Sequence, residues 1–247
     1  MTIKLLNPPK FRKYQVNSNI FLKEDDISFY LLGAYMTDGC INDKKHHLSF
    51  SISSKDLDWI ENIRNLICPN KPIYNKKKII HYDFQASDIN CMNWLIDNSC
   101  TPRKSKTLYI KNIPEKYQRD FIRGCIDGDG SLSNCIYTKI KNGKIYTYTK
   151  HTAYLCSASE KFLIQIKEMI PKTINCNIIN TGIKDSQINN RKIKATCNMY
   201  RLVFNDSNAI KFTEWIYYPN NKISLYRKQY KAKQWLQEKK TIPHLFR

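Results

Sequence analysis

The chain has 247 residues, of which 41 are Lys or Arg and 21 Asp or Glu, for a formal charge of +20; 42% are apolar. That apolar share supports a packed core and excludes wholesale disorder, and no apolar run approaches the ~18 residues of a membrane-spanning helix. Self-repulsion at this charge weakens the compact state, so a polyanionic partner is expected, nucleic acid ahead of an anionic membrane surface.

At the N-terminus, MTIKLLNPPK puts prolines before any apolar core and does not read as a secretory signal; an intracellular protein is expected from the unpaired cysteines, which read as reduced thiols. Lys in excess of Arg, with abundant Ile and Asn, fits an AT-rich genome such as that of an organelle or a phage. Residues 24–39, EDDISFYLLGAYMTDG, begin acidic, run apolar and stop at Gly39, predicting a helix with a glycine at its end. Strict alternation over 47–53 predicts a half-buried strand with Leu48, Phe50 and Ile52 inward, and 54–67 reads as a helix. Residues 79–85, IIHYDFQ, alternate likewise, with Ile80, Tyr82 and Phe84 inward and His81, Asp83 and Gln85 outward. A second apolar helix is predicted over 114–130, with Pro114 near its start and Gly130 after its end. Asn142-Gly143 inside KIKNGKIYTYTK is a strong hairpin signal. Beyond it come strand-like 153–159, helix-like 159–170 and strand-like 199–205. The basic segment 226–240 reads as a phosphate-neutralising tail or, equally, as an amphipathic helix with Trp235 and Leu236 inward.

The nine cysteines include no C-x-x-C pair and are odd in number, so buried reduced thiols are expected rather than zinc ligands or disulfides. The five histidines show no ligand spacing and are expected at the surface or facing a groove.

The chain repeats itself. LLGAYMTDG (31–39) and IRGCIDGDG (122–130) share an apolar start, Gly at the third position, a small seventh residue and a final Asp-Gly. The segments after the two motifs run in parallel: a strand, then a helix, then Phe84 and Ser87 before Trp94 answered by Phe204 and Ser207 before Trp215, then PRKSKTL (102–108) shadowed by PNNKISL (219–225). The expected organisation is a tandem duplication, 1–112 and 113–247, each half helix, two strands, helix, two strands, helix: an α+β fold with antiparallel sheets. Gly33 with Thr37, and Gly124 with Gly128, put small residues four apart on each motif helix, so the two helices are expected to pack closely about a pseudo-twofold axis.

Asp38 and Asp129 then stand at helix C-termini, where the macrodipole disfavours an anion. A single Asp-Gly would be a turn; two brought beside one axis repel unless a cation accompanies them, and hard oxygen donors suit Mg²⁺. Asp127 answers Met36 and so is no symmetric ligand.

LLGAYMTDG and FIRGCIDGDGS resemble the two signature motifs of the LAGLIDADG homing endonucleases in their monomeric two-motif form, and PRKSKTL and SLYRKQY resemble family segments as well. The resemblance implies two αββαββα halves with saddle-shaped sheets lying in the DNA major groove and Mg²⁺-dependent cleavage of both strands with 3′ overhangs. Mn²⁺ would serve as well, and Ca²⁺ would support binding without cleavage. The resemblance implies Asp38 and Asp129 as catalytic metal ligands with the adjoining Gly39 and Gly130, and one basic residue per half supporting the activated water or the transition-state charge: Lys104 in the first and Lys222 in the second. Phosphate contacts are expected from Lys76, Lys77, Lys78, Lys139, Lys141, Lys144 and Lys150. Base contacts are expected from Ser49, Ser51, His81, Asp83 and Gln85 in the first half and from Tyr146, Tyr148, Arg191, Lys194 and Arg201 in the second. The expected partner is double-stranded DNA, bound by a monomer; the alternatives are an RNA maturase acting on intron RNA and a DNA-binding regulator without catalysis.

Overall fold

Nine consecutive residues of one helix, Ser28 to Met36, are buried, which marks that helix as central rather than as one face of a surface layer. In the computed structural model, which describes residues 13–44, 47–75, 80–182, 186–188, 191–193 and 197–241, a short turn α1 (Asn19–Leu22) leads into this helix, α2 (Asp26–Thr37). Asp25 starts α2 with a capping box: its carboxylate accepts from the Ile27 and Ser28 amides, both at 3.0 Å, and Ser28 Oγ accepts from the Asp25 amide at 3.1 Å. The chain continues through β1 (Gly39–Lys44), β2 (His47–Ser54), α3 (Leu57–Ile67), β3 (Tyr74–Asn75), β4 (Tyr82–Ala86) and α4 (Ile89–Asp97). A 3-10 turn at Glu115–Tyr117 then opens the second central helix, α5 (Gln118–Asp129). The second half runs β5 (Gly130–Lys141), β6 (Lys144–Ser157), α6 (Glu160–Met169), β7 (Asn177–Gly182), β8 (Ser186–Ile188), β9 (Arg191–Ile193), β10 (Met199–Asn205), α7 (Ser207–Ile216) and α8 (Tyr226–Thr241).

The two four-stranded sheets have matching orders, β1-β2-β4-β3 and β5-β6-β10-β7, antiparallel throughout. The fold is thus α+β with two halves of αββαββα order. The second half adds a separate β8–β9 hairpin and the terminal α8. In the first half Phe50 and Ile52 turn into a core where Phe21, Tyr35 and Phe50 meet edge to face. In the second, Phe204 of the sheet stacks on Phe212 of α7 with ring centroids 3.8 Å apart.

The glycine stripes set the packing of α2 on α5. A Cβ on Gly33 would lie 2.1 Å from the Phe121 carbonyl oxygen, and one on Gly124 would lie 2.0 Å from that of Tyr30. The backbones touch where the side chains are missing, and this contact offsets the ~1 kcal/mol that each glycine costs a helix interior. The β5–β6 turn is also as expected: Asn142 and Gly143 have φ of 51° and 73°, the pair of positive values a two-residue type I′ turn requires.

Three expectations fail. Ile80 is 72% exposed rather than inward, because β4 begins at Tyr82 and the alternation does not reach back to it. His151 is 1% exposed, on the β6 face it shares with buried Ala153 and Leu155; α8 covers that face, with Glu238 Oε2 2.8 Å from His151 Nε2 and the Trp235 ring edge-on to the imidazole. All nine cysteines are free, but only Cys68, Cys91, Cys100 and Cys125 are buried; Cys40 and Cys135 sit on exposed strand faces. Of the two readings of 226–240, the amphipathic helix holds: Trp235 of α8 is fully buried and its Nε1 donates to Asn134 Oδ1 at 2.5 Å.

Candidate active site

Asp38 is the C-cap of α2 and Asp129 the last residue of α5. Because the glycine stripes bring these helices into backbone contact, their carboxyl groups come close enough to interact directly. Burial, then the charge of Asp129, pushes the Asp38 carboxyl up to about 7, while Lys228 and Lys104 oppose the rise. Asp129 is exposed as a whole residue, and the crowding of its carboxyl at the helix ends raises it against the pull of the same two lysines.

Lys104 belongs to the short 3-10 turn Lys104–Lys106, entered through Arg103 at φ 55°, and is 7% exposed. Its Nζ donates to the Gly39 carbonyl oxygen, one residue past Asp38. At the end of α5, Lys228 is 3% exposed, and its Nζ donates to the carbonyls of Ile126 at 2.6 Å, Asp127 at 2.8 Å and Gly128 at 3.2 Å. A cation on the last carbonyls of a helix is favoured by the macrodipole. Burial nevertheless lowers the Lys228 ammonium to about 8, against the upward pull of Asp127.

Asp127 is buried and points away from the pair. Its carboxylate accepts from Tyr30 Oη at 2.7 Å, Tyr217 Oη at 2.6 Å and the Leu225 amide at 2.8 Å. The last of these bonds fixes the residue before α8, which carries Lys228 one turn later. In this second half, therefore, the motif carboxylate that is no candidate ligand positions the lysine that flanks the candidate site.

Lys222 does not reach the aspartates. It is exposed, and its Nζ lies 2.8 Å from Asp26 Oδ1, at the opposite end of α2. Asp26 and Asp38 bracket the helix, so at ~1.5 Å per residue they lie about 18 Å apart. The loop before α8 passes over the start of α2, and the lysine that returns to the centre is the one carried on α8.

The sheet faces divide the remaining residues. In the first half the register pairs Ser51 with Gln85 and Ser53 with Asp83, which puts Ser49, Ser51, Asp83 and Gln85 on the face away from the helices. Gln85 Nε2 donates to Ser49 Oγ at 2.7 Å and buries that serine, and Asp83 accepts from Ser53 Oγ. His81 precedes β4 and is half-buried. In the second half Lys150, Tyr148, Tyr146 and Lys144 pair with Cys135, Tyr137, Lys139 and Lys141, so all six expected β5–β6 contacts share one face. Arg201, opposite Cys156, lies on the same face with its guanidinium 4.8 Å from the centre of the Tyr154 ring. Arg191 instead belongs to the separate β8–β9 hairpin. Lys76, Lys77, Lys78 and Lys194 lie outside the described residues.

No family model and no curated protein matches the chain. Solved structures do. The I-LtrWI LAGLIDADG homing endonuclease bound to target DNA aligns over 93% of this chain and 93% of its own, with a TM-score of 0.53 and 14% identity. The LAGLIDADG meganuclease I-AabMI bound to uncleaved DNA aligns over 87% and 91%, with a TM-score of 0.53 and 13% identity. I-SmaMI bound to an uncleaved DNA target in the presence of calcium ions aligns over 88% and 92%, with a TM-score of 0.52 and 12% identity. The fold is that of the LAGLIDADG homing endonucleases.

On this LAGLIDADG scaffold, Asp38 and Asp129 offer two hard oxygen donors whose repulsion a divalent cation would relieve, so the residues present fit Mg²⁺. Among the described residues no group of three or more His, Cys, Asp or Glu side chains converges, so there is no thiol–imidazole set of the kind zinc takes. Main-chain oxygens and water would complete a magnesium shell; the Gly39 carbonyl, one of the two expected from the motif glycines, already accepts from Lys104. Lys228 was detectable in principle. Leu225, Lys228, Ala232 and Trp235 recur at helical spacing and are all buried, so this lysine interrupts the apolar stripe of a helix instead of joining its solvated face.

Proposed function

We propose that this protein is a site-specific homing endonuclease that hydrolyses one phosphodiester in each strand of a long DNA target as a monomer, leaving 3′ overhangs. The observation that carries this is the carboxyl pair itself: Asp38 and Asp129 are held in contact, at an electrostatic cost, with two buried lysines beside them and two polar sheet faces on either side. Mg²⁺ bound by the two aspartates would activate the attacking water and stabilise the departing oxygen. Lys104 and Lys228 set two side-chain amino groups beside the carboxyl pair. All three protons of the Lys228 ammonium can be engaged by main-chain carbonyls, so it acts by field on the negative charge that develops at phosphorus and not as a proton shuttle. The β5–β6 lysines neutralise phosphates, while Gln85, Asp83, Tyr146 and Arg201 face base edges in the major groove. Because the two faces carry different residues, the two half-sites differ in sequence.

The test is a selection with purified protein: random duplexes are bound in Ca²⁺, recovered, switched to Mg²⁺ or Mn²⁺, and their ends sequenced. Staggered cuts at one sequence, absent with Asp38→Asn and with Asp129→Asn while binding persists, are expected. Selective binding with no cut by the intact protein would overturn the nuclease reading in favour of a regulator. Selectivity for intron RNA alone would favour a maturase.

A further inference from the structure

The two sheets do not reach equally far. From the motif glycines outward, β1 runs six residues, Gly39 to Lys44, and Lys44 pairs with His47. Its counterpart β5 runs twelve residues, Gly130 to Lys141, and Lys141 pairs with Lys144 across Asn142-Gly143. Both hairpins start beside the aspartates, so the second extends six further pairs away from them. At ~3.4 Å per residue those pairs add about 20 Å.

Among the described residues no helix packs behind this outer stretch. Ile136, Ile140 and Ile145, on the side continuous with the core, are 70%, 75% and 71% exposed, whereas α8 reaches the sheet at Asn134 and His151. A two-stranded ribbon standing free in water is marginal at best, yet its other face is organised. Tyr137 and Tyr148 stack at 5.5 Å, and Lys139 Nζ lies 5.5 Å and 5.9 Å from their ring centres. Tyr146 stands opposite Lys139, and Lys141 opposite Lys144. Lysine and tyrosine lie on the side continuous with Tyr154 and Arg201, and isoleucine and threonine on the other, so only one face suits a phosphate-lined groove. The major groove admits a two-stranded β-ribbon.

We infer that the outer β5–β6 ribbon, residues 136–149, is an extra DNA-reading arm that makes the protein's footprint lopsided, adding base pairs at the end of the target under the second half only. The inference rests on the DNA-binding reading above. Base pairs stack every ~3.4 Å along the duplex, so 20 Å of reach corresponds to at most about six additional pairs. The stacked tyrosines stiffen the ribbon and present hydroxyls, and the lysines anchor it on phosphate.

The test compares the intact protein with a variant lacking 136–141 and 144–149, in which Asn142-Gly143 joins Cys135 to Lys150, residues already paired across the ladder. The deletion leaves a six-residue β5 matching β1 and removes no core residue, so its melting temperature should stay within a few degrees of the parent. Both proteins are put through the random-duplex selection in Ca²⁺. The variant's motif should lose about four to six base pairs from one end only, with the remainder unchanged. Loss of Lys139, Lys141 and Lys144 should flatten the slope of log affinity against log salt by up to about three. A motif of unchanged length, or one that shortens at both ends, overturns the lopsided arm while leaving the endonuclease proposal standing. Absence of duplex selectivity in the intact protein overturns both.

Discussion

Tyr30 Oη on α2 donates a 2.7 Å hydrogen bond to Asp127 Oδ2 on α5, and the same hydroxyl accepts from Trp59 Nε1 at 2.7 Å. One phenol thus ties both motif helices to the helix that covers the first sheet. Removing it leaves a buried carboxylate one donor short and a buried indole without its acceptor, and an unsatisfied buried polar group costs about 1–3 kcal/mol. Tyr30→Phe should therefore destabilise the protein by about that amount while leaving its shape unchanged, measured as a lower urea midpoint at unchanged slope.

The glycine stripe makes a sharper demand. Gly33→Ala places a Cβ against the Phe121 backbone, which cannot move aside as a side chain would. Overpacking of this kind costs about 1–3 kcal/mol, and Gly33→Ala should fall at the upper end. It should also shift the carboxyl pair and so reduce cleavage by more than the stability loss accounts for. Thermal melts and cleavage rates on the same preparation check both expectations.

Metal-free stability should vary with pH in a specific way. The Asp38 carboxyl is raised to about 7 in the fold, so its protonated form is the one the fold favours. The associated stability is present below the ordinary carboxylate range near ~3.9 and is lost as pH rises through about 7. Lys228 is lowered to about 8, so its stability contribution grows as pH rises from there towards the ordinary lysine range. From these two groups, the metal-free protein should be least stable between about pH 7 and 8. Added Ca²⁺ should raise the melting temperature much more at pH 8 than at pH 5, and Asp38→Asn should remove most of that difference. Equal Ca²⁺ shifts at both pH values would contradict the pair as the metal site.

Lys228 and Lys222 should separate cleanly. Lys222→Ala removes a solvent-exposed pair with Asp26, a change of no more than about 1 kcal/mol, and should cleave at the parental rate. Lys228→Met keeps the buried stem but removes the charge at the end of α5. It should slow cleavage by about 10²-fold or more, as loss of one preorganised electrostatic contact does, while DNA binding in Ca²⁺ persists. Single-turnover rates on the selected site decide between the two lysines.

Where structure followed from neighbours in sequence, it was legible in the sequence. The helix over 26–37, the Asn142-Gly143 turn, the paired glycines and the duplicated order of elements all depend on periodicity and local backbone preference, which a single chain displays openly. Duplication carried the inference further, because two copies of one motif imply one axis, and the meeting of Asp38 and Asp129 follows from it. Tertiary structure alone decided that Lys228 and not Lys222 lies at the end of α5, that His151 lies under α8, that Ile80 falls outside its strand, and that Arg191 stands on its own hairpin. Each of these turns on how a segment lies against another distant in sequence: α8 brings Lys228 to the end of α5, about a hundred residues earlier, through main-chain carbonyls whose free lone pairs carry no signature in the sequence. Local pattern determines the elements and, through repetition, their symmetry; packing over long separations determines which side chains share the ends of those elements.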